Sequence, residues 1–271
     1  MRGIQETPVK VFSCYKDMPR HLTPIVLTIG NFDAVHLGHC AVLKNAKKIA
    51  DDIDGHLCVL TFSSHPIEVL RPGTTLPKLC TQLHKLSLFE KQNVDVVIFF
   101  EFTVSFSLQT AAEFLSSLHG YISFDALVLG HDALVGKDRL GDSAEMQEIA
   151  VQLGFKLNYV PPYQVDGTLV SSSAIRRAIQ IGDLDNAEKM VGRKFSVLTE
   201  VAVVNELQVI LADASSLCLP PEGVYPVKVV GGVDPEGVFA EAIVMKGFPY
   251  LELNFEDGHL CYIGQQIEVI F

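Results

Sequence analysis

The run Ile29-Gly30-Asn31-Phe32-Asp33-Ala34-Val35-His36-Leu37-Gly38-His39 ends in two histidines three positions apart. On a first helical turn such residues share a face, and the turn's unpaired backbone N–H groups carry partial positive charge toward an anion. Imidazole donates a hydrogen bond to a phosphoryl oxygen and titrates near neutral pH. Gly38 removes a Cβ where a nucleotide would approach closely. Taken by themselves, the residues leave two readings open: a phosphate-handling pair, or two polar side chains decorating a helix start. Metal ligation is the lesser option, because no third His, Cys or carboxylate follows at ligand spacing. A second cluster, Ser171-Ser172-Ser173-Ala174-Ile175-Arg176-Arg177, is equally double. Serines before an apolar periodic run cap a helix, while Ser172 and Arg176 at i and i+4 would clamp one phosphate with a hydroxyl and a guanidinium. A third cluster is Gly130-His131-Asp132 with Gly136-Lys137-Asp138-Arg139-Leu140-Gly141-Asp142. Asp132 suits a turn, a ribose hydroxyl or Mg2+.

Each cluster needs an element to hold it. "PIVLTIG" (24–30) is a β-branched, continuously apolar run ending in glycine, the pattern of a strand buried on both faces. "HCAVLKNAKKIADD" after it has helical spacing with lysines on the opposite face. The alternation continues with strands at 56–62, 94–102, 124–130 and 155–163, and helices at 80–93, 107–121 and 143–154. Strands alternating with helices predict a doubly wound α/β domain with a parallel sheet, whose ligand sits at the carboxyl ends of the strands. All three polar clusters follow strand ends, so they are expected to converge on one crevice. From Phe195 the pattern changes to short alternating runs at 195–204, 207–212, 223–230, 237–245, 250–255 and 265–271, separated by Gly, Pro and Asp turns. That is the signature of a small all-β barrel.

Composition excludes other classes. The chain has 271 residues, 48% of them hydrophobic and 20% charged, enough for a packed core in one large domain or a medium and a small one. A formal net charge of −11 opposes nucleic-acid binding but leaves room for a local site that takes a small anionic substrate. The six cysteines are scattered without a C-x-x-C pair, as expected of reduced thiols. No stretch approaches the roughly 20 apolar residues of a membrane span, and the N-terminal residues show no apolar signal core. A soluble, cytoplasmic protein without membrane or nucleic-acid partners is expected; oligomeric state has no sequence signal.

The three clusters together resemble a known family. "IGNFDAVHLGH" is similar to the T-I-G-N-F-D-G-V-H-L-G-H motif of bacterial FAD synthetases, the bifunctional riboflavin kinase/FMN adenylyltransferases, within the HxGH nucleotidyltransferase superfamily. The resemblance runs through "TFSSHPIEVL", "VLGHDALVGKDRLGD" and "VSSSAIRRAIQIGDLDNAEKMVGRKF", about residues 20 to 195. It implies transfer of AMP from ATP to the phosphate of FMN, giving FAD and pyrophosphate with Mg2+. Carried onto this chain, His36 and His39 would contact the ATP phosphates. Gly30, Asn31, Phe32, Asp33, Gly38, Gly130, Asp132 and Ser171 would shape the nucleotide site, and Ser172 with Arg176 would stabilise the leaving pyrophosphate. Phe62, His65, Pro66 and Arg139 are the candidate flavin contacts. Residues 1–190 would form the transferase domain and 191–271 a kinase-like barrel.

Departures from the family qualify this. Ala34 stands where the family has glycine, a mild change provided its backbone keeps φ below zero. Asp132-Ala133-Leu134-Val135-Gly136 replaces D-F-R-F-G, so flavin affinity or orientation is the property expected to change. S-S-S-A-I-R keeps Arg176 and loses the arginine two before it. The kinase motif G-x-P-T-A-N is not found, and the chain stops at Phe271 where the family continues into a terminal helix. A shortened barrel with weak or absent kinase activity is expected, with Glu252 either the kinase base or an exposed strand glutamate. The rival readings are a fully bifunctional enzyme, another HxGH nucleotidyltransferase, or an inactive flavin- or nucleotide-binding protein.

Overall fold

The computed structural model describes residues 9–140, 143–205, 208–212, 214–231, 236–245, 251–255 and 261–271. By its internal contacts the chain divides into two units, Met1–Phe32, Gly38–Thr74 and Leu86–Tyr163 in the first, and Asp33–Leu37, Thr75–Lys85 and Gln164–Phe271 in the second.

The first unit is built on a parallel sheet of β1 (Lys10–Phe12), β2 (Ile25–Ile29), β3 (His56–Phe62), β4 (Val96–Phe100), β5 (Ala126–Gly130) and β6 (Lys156–Val160), in the order β1-β4-β3-β2-β5-β6. Its helices are α1 (Leu37–Asp52), α2 (Pro66–Leu70), the part of α3 (Gln82–Glu90) from Leu86 on, α4 (Val104–Ser107), α5 (Ala111–Ile122) and α6 (Ala144–Leu153). The first four residues of β2, β4 and β5 are buried in succession, as strands covered on both faces must be. On one face, Ile25 and Leu27 of β2, Val96 and Ile98 of β4 and Leu127 and Leu129 of β5 form one core with Leu115 and Leu118 of α5 and Met146 of α6. α5 starts on a reciprocal capping box between Thr110 and Glu113, and α6 on Ser143, whose hydroxyl accepts from the Met146 N–H. The chain builds outward from β2 through β3 to β4, then returns to place β5 on the other side of β2. The order therefore reverses at β2, and that switch point is where open α/β sheets bind ligands.

Two sequence expectations change. β6 stops at Val160 rather than running to Tyr163, because Pro161 and Pro162 have no N–H for the ladder. β1, α2 and α4, of three to five residues, were not anticipated; elements that short show no period.

In the second unit, the hairpin β7 (Gln164–Val165) and β8 (Thr168–Leu169) precedes α7 (Ser172–Gln180) and α8 (Leu184–Val191). A closed antiparallel barrel follows: β9 (Ser196–Val204), β10 (Gln208–Leu211), β11 (Gly223–Val230), β12 (Val238–Val244), β13 (Leu251–Asn254) and β14 (Gln266–Ile270), joined in the order β10-β13-β12-β11-β14-β9. All six alternating runs of the sequence are its strands. Inward residues such as Val209, Leu211, Leu251, Leu253, Ile267 and Val269 fill it. A second core packs Ala34 and Leu79 against Ile175, Ile179, Ala187 and Met190. Among the described residues no helix is long and apolar enough to cross a membrane.

Candidate active site: the histidine loop and its supports

Between β2 and α1 lies a loop whose residues Phe32 to His36 are all buried despite their polar members. Asp33–Val35 form a single 3-10 turn, and Phe32, Ala34 and Val35 adopt φ of 48°, 69° and 43°. The condition under which Ala34 is a mild change is therefore not met: its φ is positive, a conformation that favours glycine and costs an L-residue roughly 1–2 kcal/mol. Such a backbone persists only where its surroundings hold it.

Within the second unit the holding groups are explicit. The Asp33 carboxylate accepts from the Leu79 N–H at 3.2 Å and forms a buried ion pair with the Arg176 guanidinium. Arg176 Nε also donates to the Pro77 carbonyl at 2.7 Å, and the Ser172 hydroxyl donates to the Asp33 carbonyl at 3.3 Å. Ser172 and Arg176 thus share a face of α7, as their spacing predicts, and both are bonded to Asp33. Burial, reinforced by the Asp33 charge, pushes the Cys80 thiol up to about 12. The thiol therefore stays protonated, accepting from the Ala34 N–H at 3.2 Å and donating to Asp33 Oδ1 at 3.6 Å. Arg193 donates from Nη2 to the Ala34 carbonyl at 2.7 Å and from Nη1 to the Val35 carbonyl at 3.5 Å. Ser171 is the N-cap of α7, its hydroxyl accepting from the Ala174 N–H. Sequence reasoning missed Pro77, Leu79, Cys80 and Arg193; nothing local in their types marks them, since their partners are 46 or more residues away.

In the first unit, the Phe32 ring folds back over Gly30, where a Cβ would stand 3.1 Å from Phe32 Cε2. The same ring meets the His39 imidazole edge-on, with centroids 5.1 Å apart, and Phe89 at 5.6 Å. Thr61 donates its hydroxyl to the Asn31 carbonyl at 3.1 Å. His65 caps α2, its Nδ1 accepting from the Ile67 N–H at 3.2 Å, and its Nε2 lies 3.4 Å from the Asn31 side-chain nitrogen. Pro66 occupies the first helical position, where its missing N–H is harmless. Gly38 lies in the first turn of α1. At the end of β5, a Cβ on Gly130 would meet Asp132 Oδ1 at 3.3 Å; the Asp132 side chain is 78% exposed, with His131 Nδ1 at 3.8 Å.

Phe62, ending β3, packs edge-on against Phe102 at 5.3 Å and lies 6.4 Å from Phe106, and Phe106 continues the stack to Phe100 and Phe114. Phe102 and Phe106 were not singled out in the sequence. Arg139 is exposed at φ 54° in a turn closed by reciprocal bonds between Val135 and Leu140. Gly141 and Asp142 lie outside the described residues. On the barrel, Glu252 alternates with the fully buried Leu251 and Leu253, so it faces outward, and it accepts from Gln208 Nε2 at 2.9 Å. Among the described residues no group of three or more His, Cys, Asp or Glu could hold a metal. A Mg2+ bound through ATP phosphates and water needs no such cage.

These residues include no nucleophile seated beside a base. What the loop of the second unit supplies is a buried backbone held by side-chain bonds from Cys80, Ser172, Arg176 and Arg193, and chemistry that needs no covalent nucleophile relies on such positioning.

Comparison with known proteins agrees with that chemistry. The family model described as FAD synthetase matches residues 18–174. The bifunctional riboflavin kinase/FMN adenylyltransferase of Haemophilus influenzae is 34% identical over 264 residues, 93% of this chain and 86% of that protein. The protein of the same description from Escherichia coli K12 is 31% identical over 259 residues, 90% of this chain and 82% of the relative. A solved structure described as a macrolide-efflux protein from Streptococcus pneumoniae superposes with a TM-score of 0.80, covering 97% of this chain and 88% of that one. Its sequence identity is 23%, so that likeness speaks to fold alone.

Proposed function

The chain belongs to the FAD synthetase family and is an FMN adenylyltransferase, and from that premise we propose that it makes FAD by carrying AMP from ATP to FMN through the residues of the histidine loop and α7. The observation that carries this reading is the His36-Leu37-Gly38-His39 run at the start of α1, at the end of the loop that leaves the switch-point strand β2.

A phosphate oxygen of FMN attacks the α-phosphorus in line. The bond from that oxygen to the α-phosphorus forms, the bond from the α-phosphorus to the bridging oxygen breaks, and its electron pair leaves with pyrophosphate. His36 and His39 donate hydrogen bonds to phosphoryl oxygens on which charge develops, each such donor lowering the barrier by about 3 kcal/mol. Asp33 keeps Ser172 and Arg176 in place for the pyrophosphate side. Gly30, Asn31, Phe32, Gly38, Gly130, Asp132 and Ser171 shape the nucleotide site. Mg2+ enters as the complex with ATP, a substrate rather than a resident metal.

Phe62, with Phe102 and Phe106 beside it, offers the isoalloxazine ring a stacking surface, with His65, Pro66 and Arg139 as further flavin contacts. That surface supports flavin binding in place of the aromatics absent at Ala133 and Val135. Residues 191–271 form a barrel with weak or absent riboflavin kinase activity, because the sequence lacks G-x-P-T-A-N and Glu252 is bonded to Gln208 on the outward face. Six free thiols fit a cytoplasmic setting.

The test is to incubate the purified protein with ATP, Mg2+ and either FMN or riboflavin and to separate the flavins by chromatography. FAD from FMN, with riboflavin left unconverted, is the expected result. FMN formed from riboflavin overturns the kinase assignment, and no FAD from FMN overturns the proposal.

A further inference from the structure

His36 is held on both sides by two consecutive residues that the transferase reading does not use. Gly192 ends α8 in the left-handed region at φ 80°, its N–H bonded to the Glu188 carbonyl at 2.7 Å. Arg193 follows it. On the N-terminal side of His36, the Arg193 guanidinium spans two successive carbonyls, Ala34 at 2.7 Å and Val35 at 3.5 Å. On the C-terminal side, the Leu37 side chain packs on Gly192 so closely that a Cβ there would stand 2.4 Å from Leu37 Cδ2 and 2.9 Å from Leu37 Cγ. The residues so gripped are Ala34 and Val35, both at positive φ without the freedom of glycine, and Leu37, the first residue of α1. A planar fork with fixed donors matches two neighbouring carbonyls; an ammonium satisfies one at a time.

We propose that Arg193, seated by Gly192, is a positioning residue for adenylyl transfer: it fixes the left-handed Ala34–Val35 backbone and thereby the reach of His36. The inference rests on the assignment of His36 to the ATP phosphates. Displacing a phosphate donor by about 1 Å costs roughly 100-fold in turnover, so a loop left to relax loses rate more than affinity for FMN.

The experiment combines kinetics with NMR of protein labelled at its histidine rings, using Arg193→Ala, Arg193→Lys and His36→Ala. The His36→Ala spectrum assigns the His36 resonances. In Arg193→Ala they are expected to shift or broaden while those of His56 and His119 stay, with kcat down roughly 10- to 100-fold and KM for FMN little changed. Arg193→Lys should recover part of the rate, since one carbonyl regains a donor. His36 resonances at their original positions, with turnover retained, overturn the proposal. A fully active His36→Ala overturns the phosphate assignment and with it the catalytic purpose of the clasp; the resonances report the clasp without turnover and tell that failure apart. Should Arg193→Ala not fold, Arg193→Lys decides by the same two readouts, with unchanged resonances and unchanged kcat counting against the proposal.

Discussion

Asp33 gathers most of the loop's fixed bonds, and its charge is matched by a guanidinium buried as deeply as itself, each residue 6% exposed. Removing one member of such a pair leaves the other charge without compensation. Asp33→Asn should therefore lower the free energy of unfolding by about 3–5 kcal/mol in urea titrations, a loss that a mere surface carboxylate would not produce. Cys80 beside it predicts a pH effect with a definite sign. Folded, its thiol holds the proton up to about 12; unfolded, it returns to an ordinary 9.0. Its contribution to stability is full below pH 9 and is lost as pH climbs toward 12. Cys218, pushed up to about 11 by burial, and Cys58, pushed up further, act in the same direction. The urea midpoint should fall as pH rises from about 9 to 10.5, less steeply in Cys80→Ala. At this scale His36, His39, Ser172 and Arg176 stand out in the sequence by type and spacing. The partnership of Asp33 with Arg176, 143 residues apart, does not, because a lone aspartate after a strand looks like any turn residue. Ala34 is the plainest case of a residue whose conformation the sequence leaves open: the change from glycine is mild only at negative φ, and the structure holds it at 69° with bonds to Cys80 and Arg193.

Elements long enough to show a period are legible and short ones are not. The continuous apolar runs of β2, β4 and β5 and the alternation in all six barrel strands can be read directly, whereas β1, α2 and α4 emerge only from packing. Turns are legible where glycine is compelled. Gly136 combines φ 70° with a Cβ position 2.2 Å from the Ala111 N and 2.7 Å from the Thr110 carbonyl carbon, so the 135–140 turn lies directly on the start of α5. Gly136→Ala must move backbone rather than a flexible side chain. It should cost more than about 1–3 kcal/mol, measured as a loss of melting temperature, and should distort the Thr110–Glu113 capping box that the same backbone abuts.

At the scale of the whole molecule, the strand order reverses at β2 in a sheet that is parallel throughout, and the histidine loop leaves the carboxyl end of that strand, where open α/β sheets generally bind ligands. The parallel sheet was foreseeable from strand–helix alternation, but its strand order was not, because pairing of β2 with both β3 and β5 is a long-range outcome. The acidic charge of −11 makes fixed local donors necessary for an anionic nucleotide, and the proposed function assigns that task to His36, His39, Ser172 and Arg176. The most direct test of the account is to supply ATP labelled at the α-phosphate, with Mg2+ and FMN, and to follow the label. The account predicts that the label enters FAD stoichiometrically with pyrophosphate release, and that His36→Ala, folded and able to bind FMN, slows this by roughly 100-fold or more. Label remaining in ATP or passing to ADP, with no labelled FAD, would contradict it.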